Sequence, residues 1–251
     1  MRLAGAVALV TGGSSGIGAA TARMLAAAGA RPLVTGRDRQ RLARVAAQTG
    51  GVALIADLAD PDGAAELAGA ALRAAPGGID VLINNAGIGW AGRFCDLPAA
   101  TEERLVTVNL VAPLRLTRLL TPPMTERGRG HVVFVSSIAG ATGVRGEAAY
   151  AATKAGVRYF AESIRYELRG SGAGVSVVIP GVIDTPFFDR RGTPYQRRRP
   201  APVSPERVAR AIRTAVEGDR HEIYVPRWLR YPAWMHGAAP GVFGFLAGRF
   251  G

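Results

Sequence analysis

Tyr150 and Lys154 stand four residues apart, the spacing that brings two side chains onto one face of a helix. A tyrosine hydroxyl ordinarily ionises at about 10, too high for efficient proton exchange near neutrality. Lowering that value to about 7 takes roughly 4 kcal/mol of preferential phenolate stabilisation. A neighbouring ammonium, joined by a second positive group, can supply it. Lys154 is the single lysine among 31 Lys and Arg side chains. Arg serves as well as Lys for plain surface charge, but not where a compact, tunable ammonium is needed. Ser137 precedes Tyr150 by 13 residues, in Val135-Ser136-Ser137. Without that serine, the pair would read as a core tyrosine beside a surface lysine.

These residues must be positioned by alternating elements. Short apolar runs at 6–11, 32–35, 52–56, 81–84, 132–136 and 175–179 predict strands. Helical stretches at 16–28, 38–48, 62–75, 100–120 and 149–169 separate them, with Asp38 placed as an N-cap. Alternation of this kind predicts an α/β fold, a Rossmann-type doubly wound domain with a central parallel sheet flanked by helices. Ligands of such sheets gather outside the carboxyl ends of the strands, where Ser137 is expected.

The first strand runs into Thr11-Gly12-Gly13-Ser14-Ser15-Gly16-Ile17-Gly18. Glycines between a first strand and a first helix allow close backbone approach to a pyrophosphate at a helix N-terminus. The spacing is Gly-x-x-x-Gly-x-Gly. Together with Asn84-Asn85-Ala86-Gly87, Tyr150-x-x-x-Lys154 and Pro180-Gly181, it resembles the short-chain dehydrogenase/reductase family over residues 5–226.

The resemblance implies an oxidoreductase that moves a hydride between a nicotinamide cofactor and a ketone or secondary alcohol. Tyr150 then exchanges the proton, helped by Lys154 and the positive nicotinamide ring. Ser137 orients the substrate oxygen, Lys154 also holds the nicotinamide ribose, and the backbone of Asn109 steadies a water in the proton relay. Gly12, Ser14, Ser15, Gly16, Ile17 and Gly18 are expected to bind cofactor. So are Asn85, Ala86 and Gly87, and Pro180, Gly181, Ile183 and Thr185 after the sixth strand. Asp57 and Leu58 match the family's adenine contact, although Asp57 reads almost as well as a turn cap. The second strand ends Val34-Thr35-Gly36-Arg37. Glycine stands where members preferring NAD carry an acid, and Arg37 offers a guanidinium to a 2′-phosphate. NADP is favoured over NAD.

The substrate end carries less information. Residues 186–202 are expected to form a lid holding Arg190, Arg191, Arg197, Arg198 and Arg199, with a solvated charge run preferred over a docking site for an anionic substrate. Trp90, Phe94, Phe187 and Phe188 are expected to line an apolar pocket for a lipid-like ketone or alcohol. Residues 1–226 would make the catalytic domain and 227–251 an apolar C-terminal extension. Its stretch 231–248 holds no Asp, Glu, Lys or Arg. Packing on a neighbouring subunit or over the pocket is the first reading of it, and lying on a membrane surface the second.

Net charge is +12 and the one cysteine is Cys95, which excludes an internal disulfide and a cysteine metal cluster. No metal site is assigned. The arginines are scattered singly, so nucleic acid is not the expected partner. No signal peptide is read at the N-terminus, and a cytoplasmic homodimer or homotetramer is expected. A 3-oxoacyl thioester reductase and a non-catalytic nucleotide sensor are the alternatives to the carbonyl reductase reading.

Overall fold

A computed structural model describes residues 1–195 and 200–250, and the side chains of 1–195 and 200–245. In chain order the elements are β1 (Val7–Thr11), α1 (Gly16–Ala27), β2 (Arg31–Gly36), α2 (Arg39–Thr49), β3 (Val52–Ile55), α3 (Gly63–Ala74) and β4 (Val81–Asn84). There follow α4 (Ala99–Val106), a π-helical turn Thr107–Val111, α5 (Ala112–Glu126), β5 (Gly130–Val135), α6 (Ala139–Thr142) and α7 (Ala148–Glu167). The chain closes with β6 (Ala173–Pro180), α8 (Phe187–Arg190), α9 (Pro205–Gly218), β7 (Glu222–Val225), α10 (Arg230–Ala238) and α11 (Pro240–Phe250).

The strands form one sheet in the order β3-β2-β1-β4-β5-β6-β7, and every pairing is parallel. Side chains of a strand alternate between faces, and here both faces are apolar. Leu9, Leu82, Val132 and Phe134 face α3, α5 and α7. Their neighbours Val10, Ile83, Val133 and Val135 face α1 and α9, while Val34 and Leu42 join α1 to α2. Phe134 is fully buried and meets Phe160 of α7 edge-on at 5.7 Å. Burial of such a side chain is worth about 1.5–3 kcal/mol.

The order in which successive strands are added reverses between β1 and β4, so their carboxyl ends open the crevice where ligands of such folds bind. Thr11 ties the two ends together. Its hydroxyl accepts from the amides of Asn85 and Ala86, both at 2.9 Å, and donates to the Ile83 carbonyl at 3.1 Å.

Three features depart from the sequence expectation. A seventh strand, β7, lies at the sheet edge beyond the six expected, brought there by α9. The α9 helix has Ser204 at its N-cap, Pro205 at its first turn and Val208, Ile212 and Ala215 buried at helical spacing, a legible pattern that the expected helices omit. The expected helix 100–120 is interrupted by the π-helical turn and extends to Glu126. Pro122 and Pro123 are held within its last turns, where Thr117 and Thr121 hydroxyls donate to carbonyls four residues back.

Candidate active site

The carboxyl ends of β1, β2, β4, β5 and β6 surround one cavity of about 1200 Å³. Tyr150, Lys154 and Ser137 line it together, and all three are buried. Lys154 Nζ lies 5.9 Å from the Tyr150 ring centroid and donates to the Val135 carbonyl at 3.0 Å. The Ser136 hydroxyl donates to the Lys154 carbonyl at 2.8 Å, so the paired serines fix α7 against the end of β5. Ser136 is a positioning residue that the motif-level reading leaves out.

Burial pushes the Tyr150 phenol up to about 12, against a smaller downward pull from its hydrogen bond with Ser137. Glu147 adds to the rise and Arg191 opposes it. Burial pulls the Lys154 ammonium down to about 8. In the protein alone desolvation outweighs the downward pulls of Ser137 and Arg191, and the lowering expected of Lys154 is one it shares with the positive nicotinamide ring. At neutral pH Tyr150 holds its proton, which is the form a proton donor needs.

Asn109 is almost wholly buried and does not line the cavity. Its Oδ1 accepts from the Ile88 amide at 2.8 Å. Its Nδ2 donates to the Ile88 carbonyl at 2.9 Å and to Thr153 Oγ1 at 3.2 Å. The side chain thus locks the segment after β4 onto α7, and the π-helical turn, a device frequent at functional sites, aims it there.

The glycine turn packs its backbone closely against the segment after β4. Gly12 has φ +65°, and a Cβ there would stand 2.9 Å from Asn85 Nδ2. At Gly18 a Cβ would sit 2.2 Å from the Gly12 carbonyl oxygen, so Gly18 serves the packing of the turn and lies outside the cavity lining. Ser15 is the N-cap of α1 but its side chain makes no cap bond, leaving the helix N-terminus open to a phosphate. Gly12, Ser14, Ser15, Gly16 and Ile17 line the cavity, as do Asn85, Ala86, Gly87, Pro180, Gly181, Ile183 and Thr185.

At the far end stand Arg37, Asp57 and Leu58. Arg37 Nη1 lies 3.6 Å from Asp57 Oδ2, and Arg104 Nη2 lies 3.7 Å from the same oxygen. Asp57 Oδ1 also accepts from the Ala59 amide at 3.0 Å, the turn cap expected of it. Asp38 caps α2, accepting from the Arg41 amide at 2.9 Å. Arg104 has no motif around it and emerges only from the approach of α4. The donor set fits a dinucleotide: an open helix N-terminus for the pyrophosphate and guanidinium groups at the β2 end.

On the substrate side, Phe187 and Phe188 line the cavity, whereas Trp90 and Phe94 do not. Phe94 is 58% exposed, and Trp90 folds back over Gly92. The expected pocket is corrected at those two positions. Tyr150, Phe187, Phe188 and Tyr195 form a chain of rings with centroids 5.6, 5.6 and 5.4 Å apart. Arg191 is not solvated: it pairs with Glu147 in a nearly buried contact and lies 4.6 Å from the Phe188 ring centroid. Arg190 Nη1 donates to Ser15 Oγ at 3.1 Å. Arg197, Arg198 and Arg199 lie outside the described residues.

The profile described as short chain dehydrogenase matches residues 6–196. The chain belongs to the short-chain dehydrogenase family. It is similar to "Ketoacyl reductase HetN" of Nostoc sp. (strain PCC 7120), at 36% identity over 232 residues, covering 89% of this chain and 79% of that protein. Among solved structures, a short-chain dehydrogenase from Sphingobium yanoikuyae in complex with NADPH superposes with TM-score 0.83. It shares 31% identity, with 95% of each chain covered. A family structure from Burkholderia phymatum in complex with NAD shares the fold at TM-score 0.87 and 24% identity, with 96% of each chain covered. As a short-chain dehydrogenase, the protein is an oxidoreductase of Rossmann-type fold.

Proposed function

We propose that this short-chain dehydrogenase uses NADPH to reduce a ketone, or NADP to oxidise the corresponding secondary alcohol. The observation that carries this reading is the convergence of Tyr150, Ser137 and Lys154 on the cavity that also holds the glycine turn. When bound, the nicotinamide supplies or accepts the hydride. In the reducing direction Tyr150 donates its proton to the substrate oxygen, while the Ser137 hydroxyl donates a hydrogen bond to that oxygen. Lys154 holds the ribose hydroxyls and supports the phenolate that remains. Asn109 keeps the Ile88 segment and α7 in register, which preserves the proton path.

NADP is preferred in this reading because Gly36 leaves room beside Arg37, and a charge-assisted bond to a phosphate outweighs a neutral one. The Sphingobium relative, described with NADPH, supports the preference. The Burkholderia one, described with NAD, makes the titration of both cofactors the test. The likeness to a ketoacyl reductase, with Arg145 at the cavity wall, favours adding a 3-oxoacyl thioester as a second substrate class. A homodimer or homotetramer is part of the same reading, supported by the exposed Tyr159 and Tyr166 on α7. Initial rates over a panel of ketones, alcohols and 3-oxoacyl thioesters, with each cofactor, test the proposal. Consumption of NADPH faster than NADH on at least one substrate is expected. Preference for NADH on every substrate would overturn the cofactor assignment.

A further inference from the structure

From Ile223 to Gly251 the chain carries no Asp or Glu, and its only charged side chains are Arg227, Arg230 and Arg249. This stretch shows its apolar groups to the outside. Leu229 is buried against Gly181, and Ala233 packs on the core beneath the sheet. With that face of α10 fixed, Tyr231, Trp234 and Met235 fall on the opposite one, at the i, i+3, i+4 spacing of a single stripe. Tyr231 is 55% exposed and Trp234 59%. Trp228 just before the helix and Phe245 in α11 are exposed as well, at 49% and 68%. A water-soluble helix ordinarily turns such a stripe inward.

Cations edge the patch. Arg230 lies over the Tyr231 and Trp234 rings, 4.8 and 5.3 Å from their centroids, and donates to the Tyr231 hydroxyl at 2.9 Å. Arg227 is exposed beside Trp228. Aromatic side chains flanked by arginines, with no acid among them, suit the headgroup level of an anionic bilayer. A second copy seated symmetrically on the same patch would set Arg227 and Arg230 against their own equivalents, with no acid in the stretch to pair with them. Charge complementarity therefore selects the lipid surface. Neither tail helix reaches the length of about 20 residues needed to cross a bilayer. Among the described residues no helix is long and apolar enough to do so.

We propose that α10 and α11 dock the protein onto anionic membranes, lying in the interface with Trp228 and Trp234 inserted. A cavity of about 280 Å³ beneath the patch is lined by Trp228, Leu229, Gly181 and Pro200, and Gly181 and Pro200 also wall the large cavity. Docking would set that wall of the active site toward the bilayer.

The test uses the full-length protein and vesicles of phosphatidylcholine alone or mixed 3:1 with phosphatidylglycerol. Co-flotation should be at least roughly 10-fold stronger on the anionic vesicles, with a blue-shifted tryptophan emission. The double variant Trp228→Ser/Trp234→Ser should lose both signals while its thermal midpoint and NADPH affinity stay at wild-type values. Arg227→Ser/Arg230→Ser, which keeps the aromatics, should lower anionic-vesicle binding by roughly 10- to 30-fold, the loss expected for two interfacial cations. Equal binding to both vesicle types, or no binding, would overturn the proposal. So would a tryptophan variant that binds as wild type, or one that only converts a dimer to a monomer in light scattering. Vesicle binding and turnover are read separately, so docking stands or falls apart from the catalytic reading.

Discussion

Arg37 Nη1 lies 3.6 Å from Asp57 Oδ2, joining the end of β2 to the turn after β3 across the mouth of the large cavity. Both partners are solvent-accessible, so the pair is worth no more than about 1 kcal/mol. A phosphate on the same guanidinium gains roughly 1.5–3 kcal/mol. Under the proposed NADP preference the stronger partner wins, and Arg37 would turn to the 2′-phosphate. Arg37→Ala should weaken NADPH binding by roughly 10- to 100-fold at about 1.4 kcal/mol per decade, with NADH little changed. Fluorescence titration of both cofactors decides it, and equal losses would make Arg37 structural.

Arg190 should behave differently. It reaches the Ser15 hydroxyl at the positive end of α1, a place that repels a cation unless an anion sits between them. Arg190→Gln should therefore weaken NADPH and NADH alike, by roughly 3- to 10-fold for one exposed charge-assisted contact. ADP affinity should fall in step, while 2′-AMP, which lacks the pyrophosphate, should be unaffected. A loss confined to NADPH would move Arg190 to the 2′-phosphate instead.

Lys154 donates to the Val135 carbonyl at 3.0 Å from a nearly sealed position. A planar guanidinium cannot occupy that place and still reach the Tyr150 side of the cavity. Lys154→Arg should lower kcat at least roughly 100-fold, the low end for losing a general acid–base partner, although the charge is kept. Near wild-type turnover would make the solitary lysine an accident of composition.

His131 gives the protein a pH dependence unrelated to catalysis. It is buried in β5, 2.8 Å from Ser176 Oγ, and burial holds it down at about 4, against a weaker pull upward from Asp219. Between that value and the ordinary 6.5 the unfolded chain binds a proton that the folded chain refuses. Its contribution is therefore complete above pH 6.5 and is lost as pH falls toward 4, by up to about 3 kcal/mol. Urea midpoints at pH 7 and pH 5 should fall more steeply for wild type than for His131→Gln. Identical slopes would remove His131 from the account.

Six of the seven strands were legible because each holds a short apolar run, and both faces of a covered parallel sheet need the same chemistry; the edge strand β7, Glu-Ile-Tyr-Val, lacks that pattern. The Tyr150–Lys154 pair and the glycine turn were legible because local spacing sets them. Arg104, Ser136 and the Glu147–Arg191 pair were not. Each depends on how one element approaches another across the sheet end, and no local pattern encodes that. Trp90 and Phe94 misled for the same reason: their aromatic character was visible, but the fold of the loop after β4 packs Trp90 on the cluster around Tyr150 without lining the cavity and leaves Phe94 exposed.

The central claim is that Tyr150 delivers the proton in a cofactor-dependent reduction, and Tyr150→Phe tests it most directly. NADPH oxidation should be followed at 340 nm with the best ketone of the panel, alongside a titration of NADPH binding. Turnover should fall by roughly 100- to 10,000-fold, the span of a lost general acid, while NADPH affinity stays within a few-fold of wild type. Undiminished turnover in Tyr150→Phe, or a wild type that binds NADPH and oxidises it with no substrate, would contradict the account.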